Sequence, residues 1–153
     1  MKAEYINPFL SATSEVLKQA TQIEFKAGAP YLKNSPFPAE SLVIVVGITG
    51  EIRGQAVISM GSDVAKSVAS AMMMGMPVPE LDDLAKSALS ELGNMIMGNS
   101  ATLLFNTGVN IDITPPTLMM GDNLQITSSQ MKTIGIPLQS EVGNVNLDIS
   151  VKE

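Results

Sequence analysis

One face of a predicted helix carries a carboxylate and an amide within a single turn, Glu91 and Asn94. Counting about 100° per residue from Ser87, the residues Glu91, Asn94 and Gly98 all fall within about 40° of it. An acid and an amide on one face can hydrogen-bond water or bind groups of a partner. The sequence has no histidine and no cysteine, which excludes thiol nucleophiles, Ser-His-Asp triads and nearly all zinc sites. Any chemistry must therefore use carboxylates, amides, hydroxyls or groups of a partner.

The other side of this helix is predicted to pack on a core. Asn99 falls inside the apolar stripe, so we expect its amide to be buried and to hydrogen-bond a strand backbone. No lysine or arginine occurs between Lys86 and Lys132, whereas an ordinary exposed face carries Lys–Glu pairs. From the pattern alone, a solvated helix face remains the alternative interpretation of the polar side. The apolar stripe, between about +60° and +180° from Ser87, comprises Leu84, Ala85, Ala88, Leu92, Met95, Ile96 and Leu103.

Two glycines lie inside the same helix, and each costs a helix about 1 kcal/mol relative to alanine. Gly98 lies on the polar face, where we expect the backbone of a partner to approach. Gly93 lies elsewhere, and there we expect close packing of a neighbouring element. Methionines at 72–76 are expected to end a core helix, the alternative being an adaptable binding surface.

Composition favours one globular domain covering residues 1–153, since 45% of the residues are apolar and 16% are charged. The net charge of −6 disfavours nucleic acid and anionic lipid as partners, because both require clustered basic residues. The N-terminus lacks the apolar segment of a signal peptide, and the apolar run at 42–48 is too short to span a bilayer. We therefore expect a cytoplasmic protein without a membrane segment.

The order of predicted elements indicates an α+β fold with a mostly antiparallel sheet, because helices cluster instead of alternating with strands. Apolar spacing predicts a first helix over 3–20. A second begins at 61–63 with Gly75 as its C′ glycine, and the main helix runs from about Leu81 to about Phe105. A strand is expected at 21–33, followed by a loop at 33–38. The strands expected at 42–48 and 52–60 form a hairpin around 49–51. Further strands are expected at 108–114, 117–120, 124–127, 131–138 and 142–151.

The spacing Ser87-x3-Glu91-x2-Asn94, followed by Gly98-Asn99, resembles the phosphatase motif of the CheC/CheX/FliY family of bacterial chemotaxis proteins. Within that family the single copy of the motif resembles the CheX group. The likeness extends over nearly the whole chain and includes Asn7-Pro8-Phe9, the 47–54 hairpin and the 69–76 stretch. The family motif also has a downstream proline, for which Pro116 is the best candidate, with Pro115 adjacent.

The resemblance implies an enzyme, a hydrolase that removes the aspartyl phosphate of a CheY-like response regulator. In it, Asn94 orients the attacking water and Glu91 pairs with the active-site lysine of the receiver. Partner contacts are expected at Ser87, Ser90 and Gly98, with Asn99 and Pro116 in supporting roles. The protein would bind no metal or cofactor of its own, because the receiver supplies both the lysine and Mg²⁺. The alternative is a non-catalytic module that docks a receiver or a flagellar-switch protein.

The resemblance also implies a CheX-like fold, in which a mostly antiparallel central sheet carries two long helices on one face and is accompanied by an N-terminal helix. It further implies a homodimer that joins the sheets of two subunits through edge strands. Val145, Leu147 and Ile149 alternate with polar residues in the last predicted strand. That strand is compatible with such an edge.

Overall fold

The computed structural model describes residues 2–128 and 132–153, and within them three helices pack on one face of an antiparallel sheet. The predicted α+β class is therefore confirmed. The helices are α1 (Ala3–Thr21), α2 (Ser62–Met72) and α3 (Asp83–Asn106). The strands are β1 (Lys26–Ala27), β2 (Tyr31–Lys33), β3 (Phe37–Pro38), β4 (Leu42–Gly50), β5 (Arg53–Met60), β6 (Ile111–Ile113), β7 (Thr117–Met120), β8 (Gln125–Ile126), β9 (Thr133–Ser140) and β10 (Gly143–Lys152).

The strand order of the main sheet is β1-β9-β10-β5-β4-β6. Two further strands complete its edges, because β2 also pairs with β9 and β7 also pairs with β4. The predicted hairpin is confirmed as β4 and β5, with Gly50 at a φ of +113° beside the turn. That backbone conformation favours glycine because a side chain would be strained there.

Side-chain alternation along the strands separates the two faces of the sheet. Residues that face the helices are apolar and buried, and burying each large side chain contributes about 1.5–3 kcal/mol. On the outer face, Phe37 of β3 and Ile126 of β8 cover Val43 and Val57. The strand residues of the main core are Leu42, Ile44, Val46, Ile48, Ala56, Ile58, Met60, Ile136, Leu138, Val145, Leu147, Ile149 and Val151.

The N-cap of helix α3 is Asp82, whose carboxylate accepts a hydrogen bond of 2.9 Å from the Ala85 amide. Such an N-cap satisfies one of the free amides of the first turn. In mid-helix, Gly93 is buried against β4, where an added Cβ would lie 2.8 Å from Cγ2 of Ile44. The prediction that Gly93 permits close packing is therefore confirmed.

The buried face of α3 is rotated relative to the predicted stripe. It includes Gly93, Met97 and Ser100, while Leu84 is 59% exposed. Ser100 is buried because its hydroxyl donates to the Ile96 carbonyl at 2.7 Å and so needs no outside partner. The prediction that Asn99 is buried is wrong. Its side chain is exposed, since the close approach at Gly93 turns that side of the helix outward.

Several predicted boundaries also differ from the structure. The strand predicted at 21–33 is two short strands, and the predicted loop at 33–38 contains β3. Helix α2 ends at Met72, and Met74, not Gly75, occupies the left-handed C′ position with a φ of +60°. The Gly75 amide then closes the helix end on the Ser70 carbonyl at 2.8 Å. The predicted start of a strand at Met131 lies outside the described residues.

The methionines that follow α2 divide into two pairs. Met72 and Met73 pack against the core, as expected for the end of a core helix. Met74 and Met76 are exposed, at 97% and 56% of their surface. The expectation of a core helix end therefore holds only for the first pair.

The last strand is internal to the sheet, which corrects the expectation that it offers an edge. Strand β10 pairs with β9 on one side and β5 on the other. Its apolar residues Val145, Leu147 and Ile149 are fully buried beneath the helices. The open edges belong instead to β1 and β2 on one side and to β6 and β7 on the other. Of the helices in the described residues, none is long and apolar enough to cross a membrane.

Candidate functional site

An open cleft of about 580 Å³ lies between the exposed face of α3 and the residues between β6 and β7, and we call it the α3 cleft. Glu91 and Asn94 are both exposed in it, and Ser90 is half-buried. The cleft is lined by Asp83, Lys86, Ser87, Ser90, Glu91, Asn94, Pro115 and Pro116.

The wall of the cleft opposite α3 is built by two prolines. Thr114 is fixed to β4, since its hydroxyl accepts from the Gly47 amide at 2.8 Å and its own amide donates to the Gly47 carbonyl at 3.0 Å. Proline has no amide hydrogen, so Pro115 and Pro116 cannot continue the ladder on β4. Pairing resumes at Thr117, opposite Val45. The two prolines are thus held between fixed strand segments and face α3 across the cleft.

The polar groups of the cleft are free to bind a partner. Within the described residues, neither Glu91 nor Lys86 forms an ion pair, and the Asn94 amide has no hydrogen-bond partner in the chain. Both residues of the acid–amide pair stand on a 24-residue helix whose other face is buried. Their backbone positions are therefore fixed by core packing, and their side chains remain available.

The structure brings most of the predicted site residues together. Ser87, Ser90, Glu91, Asn94 and Pro116 line the α3 cleft, with Pro115 beside them.

Two predicted site residues lie outside the cleft. Gly98 continues the same exposed face one turn further on, and an added Cβ there would meet nothing within 4 Å. Asn99 is exposed and lies away from the cleft lining, so we assign it no supporting role in the site.

Sequence reasoning missed Asp83 and Lys86 as lining residues. The signal was present, since both lie within one turn of Ser87 or Ser90 on the same helix.

The cleft is a poor site for a metal ion. No cluster of three or more His, Cys, Asp or Glu side chains that could hold a metal occurs among the described residues. Asp83 and Glu91 are eight residues apart, so their backbones are separated by about 12 Å along the helix axis. A hard cation such as Mg²⁺ needs several oxygen ligands at about 2 Å. The acids of the cleft are thus too far apart to bind one together without help from a partner.

A sequence profile of the family described as "Chemotaxis phosphatase CheX" matches residues 42–139, a span that includes all of α3 and both prolines. The chain belongs to the CheX family of chemotaxis phosphatases. It is 38% identical to the CheY-P phosphatase CheX of Thermotoga maritima, with 99% of this chain and 98% of that protein covered.

Solved structures agree with the CheX family assignment. A CheC-like superfamily protein from Shewanella sp. PV-4 superposes with a TM-score of 0.92 at 26% identity, covering 100% of both chains. A chain of the CheX–CheY–BeF3–Mg complex from Borrelia burgdorferi superposes with a TM-score of 0.84 at 31% identity, covering 97% of this chain and 98% of that one. The CheX-like fold expected from the sequence is therefore confirmed.

Proposed function

We propose that this protein hydrolyses the aspartyl phosphate of a CheY-like response regulator, with Asn94 orienting the attacking water and Glu91 pairing with the active-site lysine of the receiver. The name of the Thermotoga maritima relative, a CheY-P phosphatase, supports the substrate class. The Borrelia burgdorferi complex, which contains CheY, supports a receiver as the partner.

The observation that carries the proposal is the position of an unpaired acid and an unpaired amide in one open cleft. Asn94 and Glu91 are exposed side by side on α3, and the prolines at 115 and 116 bound the same space. A partner surface that enters the α3 cleft meets both groups at once. A solvated helix face would not require the facing wall that Thr114 fixes in place.

The reaction needs a positioned water more than a strong nucleophile, because an aspartyl phosphate is already a reactive mixed anhydride. The water oxygen bonds to phosphorus as the bond to the aspartyl oxygen breaks, which releases inorganic phosphate and restores the carboxylate. Positioning and charge stabilisation dominate such transfers. The Asn94 amide can donate and accept, and it carries no charge to repel the phosphoryl oxygens. A carboxylate at that position would repel them.

Glu91 has a separate role in aligning the two proteins. It lies one helical turn from Asn94, on its N-terminal side, and it forms no ion pair within the described part of the chain. A lysine of the receiver would therefore be its charge partner. In this proposal Mg²⁺ also belongs to the receiver, where it would screen the phosphoryl charge. In this proposal the groups of this chain orient the attacking water and the receiver, and the receiver supplies the lysine and Mg²⁺.

The test is phosphate release from a phosphorylated receiver by Asn94→Ala, with Asn99→Ala as the matched control. Both residues are exposed amides on α3, but only Asn94 lines the cleft. Losing one preorganised polar contact to the reacting centre costs about 10²–10³ in rate. We expect that loss for Asn94→Ala, wild-type release for Asn99→Ala, and unchanged circular dichroism for both.

Two results would contradict the proposal. Unchanged phosphate release by Asn94→Ala would reject its role in positioning water. A wild-type protein that binds the phosphorylated receiver without accelerating phosphate release would identify the alternative, a non-catalytic docking module.

A further inference from the structure

Lys86 is the basic residue in the lining of the α3 cleft, and neither the proposed chemistry nor the fold accounts for it. It shares the lining with two acids, Asp83 and Glu91, but forms no ion pair with either within the described residues. The next basic residues along the sequence are Lys66 and Lys132, and neither lines the cleft. Among the described residues, Lys86 is thus the one basic side chain in the cleft lining, and it forms no ion pair.

The position of Lys86 in its helix is not one that the helix dipole favours for a cation. It is the fourth residue after the N-cap Asp82, close to the positive end of the helix dipole. Acids are favoured at that end and cations are disfavoured by about 0.3–1 kcal/mol. Asp83, three residues earlier, forms no ion pair with Lys86 within the described residues.

Geometry determines what Lys86 can reach in a bound receiver. Eight residues separate it from Asn94, which corresponds to about 12 Å along the helix axis. Both side chains lean toward the helix N-terminus, so this separation along the axis is kept at the base of the two side chains. A receiver that holds its phosphoryl group at Asn94 would therefore meet Lys86 about two helical turns away from its reaction centre.

Resting on the proposed function, we propose that Lys86 is a specificity-determining residue that binds a carboxylate side chain at the rim of the receiver. Glu91 and Lys86 are five residues apart, about 140° round the helix and about 7.5 Å along it. The α3 cleft thus presents a fixed pair of opposite charges, and a matching receiver must present a cation and an anion in the reverse order. Such a pattern selects partners and speeds association.

The experiment compares Lys86→Met, Lys86→Glu and Lys86→Arg with wild type at several ionic strengths. Lys26→Met is the control, because Lys26 is exposed, forms no ion pair with any residue that the structure describes and lies on β1, outside the cleft lining. We expect Lys86→Met to lower kcat/KM about three- to tenfold at low salt through KM, with kcat unchanged, since a rim charge acts mainly on association. Lys86→Glu should lose more, and Lys86→Arg should keep wild-type values. The difference in kcat/KM between Lys86→Met and wild type should shrink at about 0.5 M salt, where charges interact only over a short range.

Binding measurements identify the group that Lys86 contacts. Affinity for the receiver is measured with and without beryllofluoride, which stands in for the phosphoryl group. An equal loss in both states for Lys86→Met supports a carboxylate contact, and a loss confined to the beryllofluoride state overturns it. Wild-type kcat/KM and affinity in Lys86→Met would also overturn the proposal. A larger drop in melting temperature for Lys86→Met than for Lys26→Met would overturn it too, because Lys86 would then act through the stability of the fold. If wild type releases no phosphate, the proposed function fails, while the binding comparison still tests Lys86.

Discussion

Gly93 of α3 packs against Ile44 of β4 so closely that an added Cβ would lie 2.8 Å from the Cγ2 atom of the isoleucine. This contact holds the middle of the helix on the sheet and fixes its rotation. Leu92 is consequently buried on one side of the glycine, and Asn94 is exposed on the other. The direction in which the proposed water-orienting amide points therefore depends on a glycine that is itself outside the cleft.

Gly93→Ala should destabilise the protein and reduce phosphate release together. The added methyl group overpacks a buried contact, which typically costs about 1–3 kcal/mol and outweighs the gain of about 1 kcal/mol in helix propensity. Urea denaturation and phosphate release measure the two effects. Full activity with wild-type stability would show that α3 can shift without disturbing Asn94.

Gly98→Ala is the matched variant on the opposite face of the same helix. An added Cβ there meets nothing within 4 Å, so the free energy of unfolding should rise by about 0.5–1 kcal/mol. If the backbone of a receiver approaches Gly98, affinity for the phosphorylated receiver should fall in the same variant. Calorimetry of unfolding and of binding would measure both. Increased stability with wild-type affinity would remove Gly98 from the partner contacts.

Glu91→Ala should weaken binding of the phosphorylated receiver as well as turnover. Losing one partner of a largely desolvated charge pair costs about 2–5 kcal/mol, and the described part of the chain offers Glu91 no internal ion pair that would compete. Glu141→Ala, which removes an exposed carboxylate at the β9–β10 turn, is the control. Titration calorimetry with the beryllofluoride form of the receiver would detect the loss. Binding equal to wild type would leave Glu91 as an ordinary surface acid.

The buried ion pair of Asp148 and Lys33 on the outer face of the sheet should make the stability of the protein depend on pH. Asp148 is buried beside Lys33, with 2.9 Å between its Oδ1 and the ammonium nitrogen. Burial raises the pKa of Asp148 above its ordinary value of 3.8, and Lys33 only partly opposes this effect. The folded state then holds the proton more tightly than the unfolded state. The resulting contribution to stability is present below pH 3.8 and is lost as the pH rises through the higher folded pKa.

Two variants isolate that contribution in urea denaturation across a pH series. Asp148→Asn should abolish the pH-dependent contribution, so the difference in the free energy of unfolding between this variant and wild type should vary with pH above about 4. Lys33→Met leaves a buried carboxylate without its cation, which should cost about 3 kcal/mol at neutral pH and less in acid. A pH-independent difference between wild type and Asp148→Asn would show that this carboxyl is not desolvated in solution.

The protein is predicted to be a homodimer joined through a sheet edge. Strand β7 exposes Met119 and Met120 at one open edge, and β2 exposes Tyr31 and Leu32 at the other. Light scattering should give twice 16.1 kDa at micromolar concentration. A charge on an edge strand opposes strand pairing, so Met119→Lys and Leu32→Lys identify which edge is used. A mass of 16.1 kDa throughout would reject the dimer.

Local rules were enough to predict the exposed face of α3. Glu91 and Asn94 share a face because helical geometry fixes the angle between residues three apart, whatever surrounds them. The hairpin of β4 and β5 was similarly local, because a glycine-containing turn joins two apolar runs. The acid–amide pair and the absence of histidine and cysteine were readable from the residues themselves.

Tertiary packing decided what the pair faces and how the helix is turned. Apolar spacing placed Asn99 in the core, but burial followed the close approach at Gly93, which leaves Met97 and Ser100 buried and Asn99 exposed. The prolines at 115 and 116 face α3 because Thr114 bonds to Gly47, 67 residues away in the chain, and Thr117 pairs with Val45. Strand β10 is internal because β9 and β5 both pair with it. Side-chain periodicity repeats within an element, whereas contacts between distant elements depend on shape and hydrogen bonding, which no local pattern encodes.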